Sequence, residues 1–329
     1  MPSTEEQRAE AALAAAEGWP GVRDGETIRT TDVPGMTLAV RRRAGGVDGL
    51  EPALLVHGLG GSSRNWSALM EQLTADVECE AIDLPGFGAS PPPPTRDYSV
   101  YGHARAVIRL LDAGGRAPVH LFGNSLGGAV VTRVAALRPD LVRTLTLIAP
   151  AMPERLPRLT SIPTGLVGLP GATRLLRWAT RDQPPGRRAR EVLRLVYGNP
   201  ERITPLEFAM AEAEMERRQG LPYFWESLGR STRGLLNAYT LGGQHSLWRQ
   251  AERVLAPTLL VYGARDRLVG VASAGRASRA FGFSRLVVLP EAGHVAMMEF
   301  PAEVAGAFRE FLTEAAVAAG DRGEADGRP

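Results

Sequence analysis

A serine stands between two glycines in Gly123-Asn124-Ser125-Leu126-Gly127. The apolar run 119–122 precedes it and the helix-periodic stretch 126–137 follows it, so Ser125 is expected on a tight strand-to-helix corner. Such a corner strains the nucleophile's backbone, and neighbours without Cβ atoms leave the room it needs. It also presents Ser125 Oγ at the C-terminal edge of a sheet, beside the orphan N–H groups of a helix start. Those groups favour developing negative charge. This is the layout of a nucleophile, and it requires a base and a group to orient that base.

Five histidines are available. His294 follows the apolar run 286–289 on a short glycine-containing loop and is the expected base. His57 ends the strand-like run 53–57 and is expected to hold its loop by hydrogen bonds. His120 lies inside a strand, and His245 lies in a region of helical inserts. His103, in the helical stretch 99–113, is expected to be exposed. Asp266 follows the run 257–262 at the same sheet edge and is the expected orienting acid. Asp83 precedes Pro85-Gly86 and suits a turn, Asp97 and Asp182 lie on solvated stretches, and Glu154 is the nearest carboxylate after the run 141–148. Cys79 is expected to be inert. Glycines in His57-Gly58-Leu59-Gly60-Gly61 permit a close approach of backbone to a ligand. The expected oxyanion hole is the backbone N–H of Leu59 together with that of Leu126.

These residues must be positioned by a scaffold whose pattern is regular. Apolar runs at 36–40, 53–57, 78–84, 119–122, 141–148, 257–262 and 286–289 alternate with helical stretches at 99–113, 126–137, 271–281 and 302–315. Several runs are continuous rather than alternating, as in strands buried on both faces. The expected fold class is α/β, a mostly parallel sheet flanked by helices. Ligands bind such sheets at the C-terminal strand edge, where all three loops open. The alternation is interrupted by a helical insertion at 151–250, which divides the core into 22–150 and 251–315. Residues 1–21 read as an N-terminal extension and 316–329 as a disordered tail. Within the insertion, Arg187–Arg188 and Arg217–Arg218 read as a solvated face. Its aromatic residues suit either a pocket lining or the insertion's own core.

Composition narrows the function. The chain has 329 residues, 44% hydrophobic and 22% charged, as in a soluble globular protein. All 38 basic residues are Arg, and the absence of Lys excludes Schiff-base chemistry and a P-loop. A net charge of +2 with mixed signs is a poor phosphate track, so no nucleic-acid partner is expected. One Cys excludes an internal disulfide framework and a Cys-based zinc cluster. No apolar stretch reaches the roughly 20 residues of a membrane span, and the N-terminus lacks the charge layout of a secretory signal. A cytoplasmic location is the expectation.

Five segments, in order, resemble landmarks of one family: HGLGG (57–61), DLPGFGAS (83–90), GNSLGG (123–128), YGARD (262–266) and EAGHVAMMEFP (291–301). The chain from 36 to 313 is similar to the α/β-hydrolase fold superfamily, whose triads follow the order Ser, Asp, His. The resemblance implies that 151–250 is a helical cap, or lid, over the active site. Serine at the elbow separates this chain from relatives with Asp or Cys nucleophiles. The elbow also resembles that of carbon–carbon bond hydrolases of ring cleavage, but Val295 stands where those carry an aromatic residue. The expected activity is therefore that of a carboxylesterase or lipase-like serine hydrolase, with Ser125, Asp266 and His294 as triad. Its expected partner is a small apolar ester, with no metal and no organic cofactor. A carbon–carbon hydrolase, a cofactor-free haloperoxidase or perhydrolase, and a non-catalytic small-molecule receptor are the alternatives.

Overall fold

The computed structural model describes residues 22–115, 118–154 and 158–326, with side chains to residue 318. The expected N-terminal extension, 1–21, lies outside them. Two strands open the fold, β1 (Glu26–Val33) and β2 (Met36–Arg43), and six more follow. These are β3 (Pro52–Val56), β4 (Glu78–Ile82), β5 (Val119–Asn124), β6 (Val142–Ile148), β7 (Thr258–Gly263) and β8 (Ser284–Leu289). Among the described residues they form one eight-stranded sheet in the order β1-β2-β4-β3-β5-β6-β7-β8. The β1/β2 and β2/β4 pairs are antiparallel and every later pair is parallel. β1 was absent from the expected runs because it is an edge strand, six of whose eight residues are polar and most of them accessible, so no apolar run marks it.

The continuous apolar runs are explained by a core on each face of the sheet. In β3, Leu54 and Val56 enter one cluster while Ala53 and Leu55 enter the other, the two-residue alternation of a pleated strand. The helices α1 (Ser67–Gln72), α2 (Val100–Gly114) and α3 (Leu126–Leu137) precede the insertion. α2 and α3 cover the first face, whereas α1 covers the second. Between β6 and β7 come α4 (Ile162–Leu166), α5 (Ala172–Thr180), α6 (Pro185–Val196), α7 (Pro205–Gly220), α8 (Phe224–Thr240) and α9 (Leu247–Ala251). α9 turns back into the first core through Leu247, Trp248 and Ala251. After β7 follow α10 (Ala274–Ala280), α11 (Ala296–Glu299) and α12 (Pro301–Asp326).

Three expectations change. α12 continues to Asp326, where a disordered tail from 316 was expected; four of the residues 316–326 are Ala, the strongest helix former. His103 is fully buried, with Nε2 3.0 Å from Ser231 Oγ on α8. It shares the apolar stripe of α2 with Val100, Ala104 and Val107, and burial pushes its imidazole down to about 3. Arg217 and Arg218 are not a solvated face: both are largely covered and pair with the buried Glu214. No helix among the described residues is long and apolar enough to cross a membrane.

Candidate active site

Ser125 is the N-cap of α3 and has φ 54° and ψ −119°, a strained conformation for a residue with a side chain. The glycines around it are required by contact. A Cβ on Gly127 would lie 2.2 Å from the Val56 carbonyl oxygen, and one on Gly123 would lie 2.6 Å from the Gly127 carbonyl oxygen. The corner is held from the neighbouring strand, since Ser125 N–H donates to Ile148 O at 3.2 Å and Ala151 N–H donates to Ser125 O at 2.9 Å.

Asp266 and His294 meet after β7 and β8. His294 Nδ1 donates to Asp266 Oδ2 at 2.8 Å, which leaves Nε2 as the nitrogen available to accept a proton. Asp266 Oδ1 accepts from Leu268 N–H at 2.7 Å and Val269 N–H at 3.0 Å. Burial alone would raise this carboxyl, but the His294 ring and the two amides outweigh it and hold the group below the usual carboxylate range.

Ser125 and His294 line one cavity of about 590 Å³. No hydrogen bond joins Ser125 Oγ to the ring, as is common before a substrate closes such a contact. The two loops are nevertheless tied: Asn124 Nδ2 donates to His294 O at 2.9 Å and to Ile148 O at 3.0 Å. Leu59 borders the same space, as does Ser125 at the N-cap of α3. The N–H groups of Leu59 and Leu126 have no hydrogen-bond partner among the described residues.

His57 lies outside this constellation. It is buried, its Nδ1 is 2.8 Å from Gly58 O, and its Nε2 accepts from Leu84 N–H at 3.0 Å. Burial lowers its basicity. Asp83 accepts from Ser63 N–H (2.6 Å) and Ala89 N–H (2.9 Å), bracing the turn. His120 bonds Thr144 and Glu51, His245 is exposed, and Cys79 is buried with its thiol pushed up to about 12. Glu154 lines the cavity, although its Oε1 accepts from Gly270 N–H at 2.8 Å.

A sequence match decides the lineage. The family model described as alpha/beta hydrolase fold matches residues 52–301. The chain belongs to that family. The dihydrolipoyllysine-residue acetyltransferase component of the acetoin cleaving system of Pseudomonas putida is 30% identical over 311 residues, covering 90% of this chain and 72% of that protein. Lipase 1 of Psychrobacter immobilis is 25% identical over 289 residues, covering 85% and 84%. A solved structure described as a membrane phospholipase A, a bacterial virulence factor, superposes with a TM-score of 0.74 at 26% identity, covering 94% and 92%.

Within this α/β-hydrolase fold, two positioning residues escaped the sequence reading. Asn124 is one. Glu299 is the other: its Oε1 accepts from Gly293 N–H, and its Oε2 accepts from Gly198 and Asn199 N–H, at 2.8, 2.8 and 3.3 Å. Burial holds the Glu299 carboxyl above its ordinary range despite these donors. Its signal was a carboxylate five residues after the histidine in an otherwise apolar segment, Val295-Ala-Met-Met-Glu-Phe. His294 N–H itself donates to Val196 O at 2.7 Å, so the end of α6 is pinned to the histidine loop. The segment 151–250 contributes mainly aliphatic groups to the cavity, among them Leu166, Leu169, Leu193, Met215 and Leu235. Of the aromatic residues in the insertion only Tyr239 lines it. Tyr197, Phe224, Trp225 and Trp248 are buried elsewhere, and Trp178 is 62% exposed.

Proposed function

We propose that the protein hydrolyses carboxylic esters of aliphatic acids through an acyl-enzyme on Ser125. The observation that carries this reading is the shared cavity of a strained Ser125 and an Asp266-oriented His294. In the reaction, His294 Nε2 takes the Ser125 proton as Oγ bonds to the carbonyl carbon. The carbonyl electron pair moves to oxygen, where the N–H groups of Leu59 and Leu126 receive it, each worth about 3 kcal/mol in the transition state. Asp266 keeps the proton of Nδ1 in place and stabilises the imidazolium. His294 then protonates the leaving alcohol as the ester C–O bond breaks, and activated water releases the acid. The chain's own groups supply every step.

The helices of 151–250 act in this reading as a cap whose aliphatic wall receives the acyl chain. That wall, with Tyr239 as its single ring, supports a fatty acyl group over an aryl ketone of ring cleavage. The test is a p-nitrophenyl ester series from acetate to dodecanoate with Ser125→Ala as control, together with fluorophosphonate labelling. Turnover that vanishes with Ser125→Ala and a label on Ser125 alone are expected. Labelling that survives the substitution, or tight ester binding without turnover, overturns the proposal.

A further inference from the structure

The cavity wall is not aliphatic throughout. At one place Arg64, in the 3-10 turn Ser63–Trp66, comes together with Glu214 and Arg218 of α7. Glu214 is buried and already engaged. It accepts from Arg217 Nε at 2.8 Å and Nη2 at 3.0 Å, and from Arg218 Nε at 2.8 Å. Burial would raise this carboxyl, but the Arg218 and Arg217 guanidiniums bring it down to about 2. The nearby carboxylates are likewise committed: Asp83 to backbone amides, Glu26 to Arg41, and Glu207 to Thr204.

Arg64 is the cation left over. Among the described residues it has no ion pair within 4.0 Å, and its buried Nε has no hydrogen-bond partner. Burial pushes its guanidinium down to about 10; Glu214 opposes that shift, and Arg218 and Arg41 add to it. Its Nε is closed off from water while the residue as a whole is only half-buried and lines the cavity, where an anion could complete its hydrogen bonds. The turn that carries it is rigidly placed. Ser63 N–H donates to Asp83, Arg41 Nε donates to Ser63 Oγ at 3.3 Å, and Ser62 N–H donates to Asn65 Oδ1 at 3.0 Å. It also follows directly on the Gly58–Gly61 loop that carries the Leu59 amide, and both Leu59 and Arg64 line the cavity.

We infer that Arg64, assisted by Arg218, is a binding site for an anionic group of the substrate, a carboxylate or a phosphate, carried by an ester whose aliphatic chain fills the rest of the cavity. This rests on the proposed ester-hydrolase reading and deepens it. The guanidinium fork matches the paired oxygens of either anion, and the surrounding aliphatic groups reject the same anion without its chain.

Calorimetric titration of the whole protein tests this without needing turnover. The ligands are octyl phosphate, octanoate and the neutral octan-1-ol. Either anion is expected to bind at least about tenfold more tightly than the alcohol, and the tighter of the two anions identifies the source chemistry. In Arg64→Met that ratio is expected to fall to about one, while Arg64→Lys keeps part of it because the charge remains. Equal affinities for anion and alcohol in the native protein, a ratio that survives Arg64→Met, or no retention in a folded Arg64→Lys overturns the inference. Fluorophosphonate labelling separates the two readings. A labelled Ser125 with equal affinities removes the anion site alone, whereas an unlabelled Ser125 in the native protein removes the esterase proposal.

Discussion

The sheet edge and the inserted helices meet at one cavity but are built by different means. At the edge, Asp266, Asn124 and Glu299 each bind a backbone or ring atom of a segment distant in sequence, at 2.8, 2.9 and 2.8 Å. Across the cavity, α4, α7 and α8 contribute Leu166, Met215 and Leu235, which are held by packing alone. Reacting groups must be fixed to a fraction of an ångström for proton transfer to work. A wall that receives a hydrocarbon chain need only have the right volume. The division teaches that, in the proposed reaction, the chemistry would depend on hydrogen-bond geometry, whereas substrate choice would depend on the shape of the wall and on its charged patch at Arg64.

The comparison can be broken most forcefully at the edge. Asp266→Asn removes the acceptor that holds the Nδ1 proton, and kcat on p-nitrophenyl butanoate is expected to fall about 10⁴-fold. A loss under tenfold would show that the ring is oriented by something else. Gly127→Ala places a methyl against the backbone of β3, which has no side chain to yield. Urea unfolding should register a loss of about 3 kcal/mol, and an unchanged midpoint would contradict the packing described for the corner.

Two smaller effects sharpen the contrast from the other side. His103 joins core to insertion, and its folded-state imidazole titrates at about 3 against an ordinary 6.5. Between those values the unfolded chain binds the proton and the folded one does not, so stability is full above pH 6.5 and declines as pH falls towards 3. The slope from this group is on the order of 1 kcal/mol per pH unit. His103→Gln should flatten the melting curve over that window, and an equally steep decline in the variant would assign it to other groups. Leu235→Trp fills part of the cavity and should lower the decanoate-to-butanoate ratio of kcat/KM about tenfold. An unaltered ratio would place the acyl chain elsewhere.

The edge was legible because its constraints are written in residue type. Gly123 and Gly127 are where backbone contact leaves no room for a Cβ, and Asp266 and His294 each follow shortly after a continuous apolar run. Periodicity likewise located the inner strands, since both faces of each are covered. β1 was silent because an edge strand needs no such run. His103 was misread because a buried polar residue on an apolar stripe resembles a solvated one until its partner Ser231 is known, and Arg217–Arg218 because a charge pair takes its surroundings from α7 and the loop at Gly88. Arg64 left no pattern at all. Its isolation depends on which carboxylates the fold has already used.

The bond from His294 to Val196 has a mechanical corollary. Because the C-terminal end of α6 is fastened to the very loop that carries the imidazole, that end cannot swing outward without dragging the proton acceptor with it. Were the helices of 151–250 to part from the sheet edge, they would pivot around this fixed corner, farthest from which Leu159, Leu175 and Trp178 face water. In the proposed reaction, admission of substrate and alignment of the base would thereby be geared together.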